Sequence, residues 1–318
     1  MNTLDELDRR IVAALRRDGR ASWRSIADEV ASSTATVARR GQQLISSGVV
    51  TVAVVPAYGS TGPVDTFLLR LTCRPGTQLS VAEALIPHPD VRFVSVITGE
   101  YDIFAEIAVT GGAANYPALL ASLQSIEGVE RWRSDAVIRL FKSAVSSPAE
   151  MDAGLPVCGP DHFDEADRRI IAELRADGRE TFQSVADTLG MNESSVRRRF
   201  ERLRSSSCVD ILTIVPAAAL GFEVETMFTI TVAPSRLDEV AHALAAEPHV
   251  RYVASVLDRN ALLCEMMLPS NLELYEFLTQ TLARFDGVEG WTASMELVFL
   301  KYGFIETPWW RAQVDVPA

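Results

Sequence analysis

The sequence predicts an α+β protein that uses one architecture twice: a three-helix headpiece, then an antiparallel sheet domain with helices on one face, then the same pair again. Three observations carry that prediction. The stretch LDELDRRIVAALRRDGRASWRSIADEV at 4–30 aligns with FDEADRRIIAELRADGRETFQSVADTL at 163–189 at a constant offset of 159, and 19 of the 41 positions from Leu4 to Leu44 are identical. The same offset brings VRFVSV at 91 onto VRYVAS at 250 and GVERW at 128 onto GVEGW at 287, so the repeat runs through the whole module. Within each copy the apolar period changes once, from helical to alternating.

Taken in order, Leu7, Ile11, Ala14 and Leu15 form one apolar stripe of a first helix, and Asp18-Gly19 supplies its stop. Ser22 caps a second helix running through Val30, and Ser33 caps a third that runs to about Ser46. From Val49 the run VVTVAVVP reads as a strand. Then come TFLLRLTC, a helix near Leu79–Ile86, VRFVSVIT, YDIFAEIAV, a helix near Tyr116–Ile126 and RWRSDAVIRLF. That order is strand, helix, strand, strand, helix, strand, and copy two follows it. Each copy is thus a winged helix-turn-helix headpiece followed by a ferredoxin-like βαββαβ domain. The expected boundaries are 1–55 and 60–142 for the first pair, 143–162 for a Ser/Pro/Gly-rich linker, 163–216 and 222–305 for the second pair, and 306–318 for a tail. In the tail, Trp309 and Trp310 either pack against the last strand or form an oligomer contact.

Composition narrows the function. The 318 residues carry 48% hydrophobic and 23% charged side chains, as in an ordinary folded protein, and a formal charge of −12. The polar, acidic opening MNTLDELDRR and the lack of a long apolar run predict a cytoplasmic protein with no membrane partner. Cys73, Cys158, Cys208 and Cys264 are widely spaced with no CxxC pair, so neither a disulfide framework nor a metal knuckle is expected. No catalytic triad order or phosphate-binding glycine loop is present, so neither an enzyme nor a cofactor is expected.

Against the acidic total stands a local cationic ridge. In the third helix of copy two, Val196, Phe200 and Leu203 take the core positions, which leaves Ser195, Arg198, Arg199 and Arg202 on a neighbouring face expected to look outward. From Met191 to Arg204 there are five arginines against Glu193 and Glu201. Copy one repeats the geometry with Thr36, Arg39, Arg40 and Gln43. Arginine and glutamine reach base edges, and arginine and hydroxyls hold phosphates. The candidate contacts to double-stranded DNA are therefore Thr34, Thr36, Arg39, Arg40, Gln43, Ser194, Ser195, Arg197, Arg198, Arg199 and Arg202. Gly41 stands where copy two has Phe200. It lowers helix propensity by about 1 kcal/mol relative to Ala, and Trp23, opposite Phe182, is placed to fill the gap.

These residues resemble the Lrp/AsnC family of bacterial transcription regulators. The resemblance rests on Leu4-Asp5, Asp8, the DGR of 18–20, Ser25-Ile26-Ala27, Thr36-Val37, Arg39-Arg40 and Gly48-Val49-Val50, and on GEYD at 99–102, which is similar to the family's G-x-Y-D turn. It implies an RAM-type effector domain, a recognition helix in the major groove, a homo-oligomer, and a small effector, often an amino acid, bound near Thr98, Gly99, Glu100, Tyr101 and Asp102. Copy two has Asp258, Arg259, Asn260 and Ala261 in place of GEYD, so the first copy is expected to hold the effector. The alternative for Asp102 is a hydrogen bond to local backbone. Two other classes share the pattern: a fused sirohaem-decarboxylase-like enzyme, and a metabolite-binding module without DNA binding. The former relies on cleft histidines, whereas His88, His162, His242 and His249 read here as loop residues.

Overall fold

The structure is a computed structural model that describes residues 4–57, 64–143, 158, 162–258 and 260–314. The expected linker, apart from Ser143, Cys158 and His162, lies outside the described residues, as does Arg259. The chain divides into two compact units that regroup the repeats by type: one holds both headpieces and the tail, the other both sheet domains.

In the headpiece unit the first copy contributes α1 (Glu6–Arg17), α2 (Trp23–Glu29), α3 (Thr34–Ser46) and β1 (Thr51–Pro56). The second contributes α6 (Glu165–Ala176), α7 (Phe182–Leu189), α8 (Glu193–Ser205) and β6 (Val209–Ile214). The helix starts follow from side-chain caps. Asp5, Ser22 and Ser33 accept hydrogen bonds from the amides of Asp8, Ser25 and Thr36, and Asp164 and Thr181 do the same in copy two. Gly48 and Ser207 both end the third helix in the left-handed region, at φ 72° and 51°. Trp23 lies over Gly41, so close that a Cβ there would be 2.5 Å from Cη2 of its ring. In copy two Phe182 packs on Phe200 with ring centroids 5.3 Å apart.

Each wing is a single strand, and it pairs with its counterpart instead of folding into a hairpin of its own. β1 and β6 run antiparallel with Thr51 opposite Ile214 and Val55 opposite Asp210, so the equivalent residues Ala53 and Leu212 face each other at a local two-fold. The cysteine expectation fails here: Cys158 and Cys208 form a disulfide in the second headpiece. Their separation of 50 residues hid the pairing, because the fold of the second headpiece brings the ends of that loop together. In the tail, Trp310 is fully buried and Trp309 half-buried, grouped with the headpieces.

In the sheet unit the first copy supplies β2 (Val64–Cys73), α4 (Gln78–Leu85), β3 (Val91–Ile97), β4 (Ile103–Thr110), α5 (Tyr116–Gln124) and β5 (Val129–Lys142). The second supplies β7 (Val224–Val232), α9 (Leu237–Ala246), β8 (Val250–Val256), β9 (Ala261–Leu268), α10 (Asn271–Glu276) and β10 (Val288–Tyr302), with β11 (Ile305–Glu306) appended. The strand order β10-β3-β4-β2-β5-β8-β9-β7 closes through a β10–β7 pairing. Two four-stranded sheets therefore meet at both edges and form one eight-stranded antiparallel barrel, with no open edge left between them. Its inner face carries Leu68, Phe93, Ile97 and Phe104 from copy one and Met227, Tyr252, Val256 and Leu263 from copy two. The outer face of the second half is covered by Val240, Ala241 and Leu244 of α9. His242 lies within α9, not in a loop as expected.

Candidate nucleic-acid interface and ligand cavity

The third helices keep their core stripe: Val37, Gly41 and Leu44 in α3, and Val196, Phe200 and Leu203 in α8, are buried. The neighbouring face divides in two. Arg40 Nη1 donates to Asp5 Oδ2 at 2.5 Å and to Asp8 Oδ1 at 3.0 Å. Arg199 Nη1 repeats this with Asp164 at 2.6 Å and Asp167 at 2.9 Å. Arg202 donates to Asp167 Oδ2 at 2.5 Å and to the His162 carbonyl at 3.0 Å. Arg40 and Arg199, expected on the outward face, are part-buried and clamp the third helix to the start of the first, while Arg202 stays exposed as it pairs with Asp167. The physical reason is that the i+4 and i+7 positions border the core stripe, and the acidic cap of α1 or α6 lies beside it. The amide of Asp8 and then Arg40 hold the Asp5 carboxyl below its usual range. The amide of Asp167 and then Arg199 do the same for Asp164.

The remaining residues separate by engagement. Thr36 accepts from the Ser33 hydroxyl at 2.8 Å, and Arg197 pairs with Glu193 at 2.5 Å while lying over Phe182. Ser195 is half-buried in the first turn of α8. Thr34, Arg39, Gln43, Ser194 and Arg198 are exposed. Among the described residues neither Arg39 nor Arg198 has a side-chain hydrogen bond or ion pair.

Two functional arginines were visible in the sequence only as part of the repeated DGR. Arg20 donates to the carbonyls of Gly178 and Glu180 and stacks 4.5 Å from the Phe182 ring. Arg179 reciprocates onto Gly19, Ala21 and Trp23, the last at 4.0 Å. Each charged hydrogen bond of this kind is worth about 1.5–3 kcal/mol, so the pair of arginines staples headpiece to headpiece around the β1–β6 two-fold. Reciprocity under an offset of 159 was the available signal.

In the barrel a cavity of about 390 Å³ is lined by both copies. Copy one contributes Arg70, Ile97, Glu100, Tyr101, Phe104 and Arg133; copy two contributes Thr229, Thr231, Asp258, Ala261 and the Gly290–Ser294 stretch of β10, among others. A polar chain crosses it. Asp258 pairs with Arg133 at 2.5 Å, Arg133 with Asp135 at 3.1 Å, Asp135 with Arg70 at 2.5 Å, and Arg70 donates to Thr229 Oγ1 at 3.0 Å. Burial opposes the charge on Arg133, but Asp258 and Asp135 outweigh it and raise its proton affinity. The repeat makes the wall lopsided: Thr229 and Thr292 occupy in copy two the positions of Arg70 and Arg133.

The five residues of the expected effector turn part company. Glu100 and Tyr101 line the cavity. Gly99 has φ 104° and passes close to β10, where an added Cβ would meet Ser294 Oγ at 3.2 Å. Thr98 exchanges hydrogen bonds with Met295, its amide donating to the carbonyl and its hydroxyl accepting from the amide, both at 2.9 Å. Asp102 does not line this cavity: its carboxylate accepts from the Cys73 amide at 2.8 Å and from Gln78. It closes the turn, leaving Glu100 and Asp258 as the lining carboxylates. The cavity is not confined to copy one, because β7, β9 and β10 supply about half of its wall.

Two family descriptions match the chain, each twice: the AsnC-type helix-turn-helix domain at 4–45 and 163–204, and the Lrp/AsnC ligand binding domain at 66–146 and 225–303. Among similar curated proteins, the HTH-type transcriptional regulator FL11 of Pyrococcus furiosus is 28% identical over 149 residues, covering 46% of this chain and 97% of that protein. An uncharacterized HTH-type transcriptional regulator of Pyrococcus horikoshii is 32% identical over 142 residues, covering 44% and 94%. Both sources are archaeal. Among solved structures, the sirohaem decarboxylase NirDL superposes over 98% of each chain with a TM-score of 0.64 at 17% identity, a likeness of fold.

Proposed function

The chain belongs to the Lrp/AsnC family of DNA-binding transcription regulators, with headpiece and ligand-binding domain each present twice, and from that premise we propose a self-contained, metabolite-responsive regulator. The observation that carries it is the pairing of two headpieces in one chain, each with an exposed arginine on its third helix, Arg39 and Arg198. Covalent linkage makes this pairing independent of protein concentration. The two third helices address half-sites about one DNA turn apart. Thr34, Gln43 and Ser194 flank the arginines, and because the copies differ the half-sites are unlike. The helix faces carry the recognition, which reconciles a net charge of −12 with an anionic partner.

For the effector, the barrel cavity supports a small polar metabolite of the amino-acid class, with Arg70 and Arg133 facing an anionic group and Glu100 and Asp258 a cationic one. Self-association of chains is supported by equivalent exposed apolar pairs, Trp132 and Ile138 on β5 and Trp291 and Leu297 on β10. An enzyme of the sirohaem-decarboxylase kind shares the fold, but no histidine lines the cavity. No helix of the described residues is long and apolar enough to cross a membrane.

The deciding experiment incubates the protein with sheared genomic DNA and sequences what is retained, with the double variant Arg39→Ala, Arg198→Ala alongside. A regulator enriches a few sites with paired half-sites and the variant loses them. Uniform retention, or a tetrapyrrole co-purifying with the protein, overturns the reading.

A further inference from the structure

The second headpiece gathers three metal-ligating side chains that the proposed DNA and effector sites do not use. Cys158 and Cys208 are both buried, and His162 is exposed at the start of the second copy. The sulfurs are joined as a disulfide, and His162 Nδ1 stands 3.3 Å from Cys158 Sγ and 3.5 Å from Cys208 Sγ. A disulfide has no need of a nitrogen placed against both of its sulfurs. A tetrahedral zinc with bonds of about 2.3 Å to sulfur and about 2.0 Å to nitrogen needs an S···N edge of about 3.5 Å, close to the separation seen. Only the sulfur–sulfur edge has to open.

We propose that Cys158, His162 and Cys208 form a site for a thiophilic divalent cation of the zinc class, filled when the disulfide is reduced. A thiol reductant delivers two electrons and two protons to the disulfide and leaves two thiols. The cation then displaces one proton from each, forming two metal–sulfur bonds and one bond to neutral imidazole Nδ1. The two thiolates balance its charge, and water takes the fourth position on the exposed side of His162.

The site is tied to the recognition helix. Cys208 follows the last turn of α8, and Arg202 of that helix holds the His162 carbonyl while pairing with Asp167. Disulfide and metal each pin the chain before α6 to the base of α8; the reduced, metal-free protein lacks that pin. Val49 stands at the position of Cys208 in copy one, so the site belongs to the second headpiece alone.

The test uses the full-length protein, reduced with a phosphine, stripped with a chelator and titrated with Co²⁺ as a coloured stand-in. The expected result is one equivalent per chain, with a thiolate-to-cobalt charge-transfer band and tetrahedral ligand-field bands that Zn²⁺ abolishes. Oxidised protein binds none. Cys208→Ser loses the charge-transfer intensity of one thiolate, and His162→Ala, altered at an exposed residue that keeps the fold, weakens binding by about tenfold or more. The proposal is overturned if the reduced protein takes up no Co²⁺, or if His162→Ala binds with unchanged affinity and spectrum.

Discussion

At the scale of single residues, glycines mark where the repeat has been adjusted. Gly41 looks like a helix defect that alanine should repair, but Trp23 occupies the space its Cβ would need. We expect Gly41→Ala to destabilise the chain by about 1–3 kcal/mol in urea unfolding, opposite in sign to the propensity gain. Adding Trp23→Phe should recover part of that loss; a stabilising Gly41→Ala would refute the account. Gly19 and Gly178 are equivalent in sequence but not in surroundings. A Cβ on Gly178 would meet the Ala53 amide nitrogen at 2.7 Å, whereas one on Gly19 meets side-chain atoms of Val52, Ile211 and Thr213 at 2.7–2.9 Å. Backbone cannot yield as side chains do, so Gly178→Ala should lower the melting temperature more than Gly19→Ala. Equal losses would contradict this asymmetry.

At the scale of elements, α3 and α8 each have two polar faces with different duties. Arg198 and Arg199 are adjacent in sequence, yet one is exposed and the other is clamped by Asp164 and Asp167, the latter only 1% exposed. Arg198→Ala should therefore leave stability within about 0.5 kcal/mol while weakening DNA binding and lowering the salt slope by about one. Arg199→Ala should destabilise the second headpiece by about 3 kcal/mol, because buried Asp167 is left with Arg202 as its one cationic partner among the described residues, beside the Asp164 amide. Urea melts and binding at several salt concentrations on the same two variants separate these outcomes; matching profiles would refute the division. The core stripe and the caps were legible in the sequence, since both are set within one helix. The clamp was not, because it joins residues 32 and 35 positions apart whose spacing carries no periodic signal.

At the scale of the whole molecule, duplication lets one chain build sites a symmetric pair cannot. The barrel also encloses an excess of carboxylates: Arg251 pairs with Glu225 and Glu265, and Glu296, held by Ser95, has an oxygen with no partner among the described residues. Burial pushes Glu225 up from 4.5 to about 7, with Arg251 opposing and Glu265 adding to the rise. Burial drives Glu296 the same way. The folded chain therefore keeps protons that the unfolded chain releases earlier. This contribution is fully present below about pH 4.5 and is lost as pH rises to about 7. For Glu225 it amounts to about 3 kcal/mol, and Glu225→Gln should flatten the fall in unfolding free energy between pH 5 and 8 relative to the parent. An identical pH profile would rule this out.

The sequence by itself determined the repeat, the helical triplets with their caps, the βαββαβ order and the family, because each follows from period, propensity and local spacing along one stretch of chain. Only the tertiary structure decided that the copies pair with each other in one chain, that Arg40, Arg199 and Arg202 are engaged by the acidic start of the first helix, that the cavity draws on both halves, and that Cys158 meets Cys208. Those outcomes depend on which distant surfaces come into contact, and contact across 32 to 160 residues leaves no periodic mark in a single sequence.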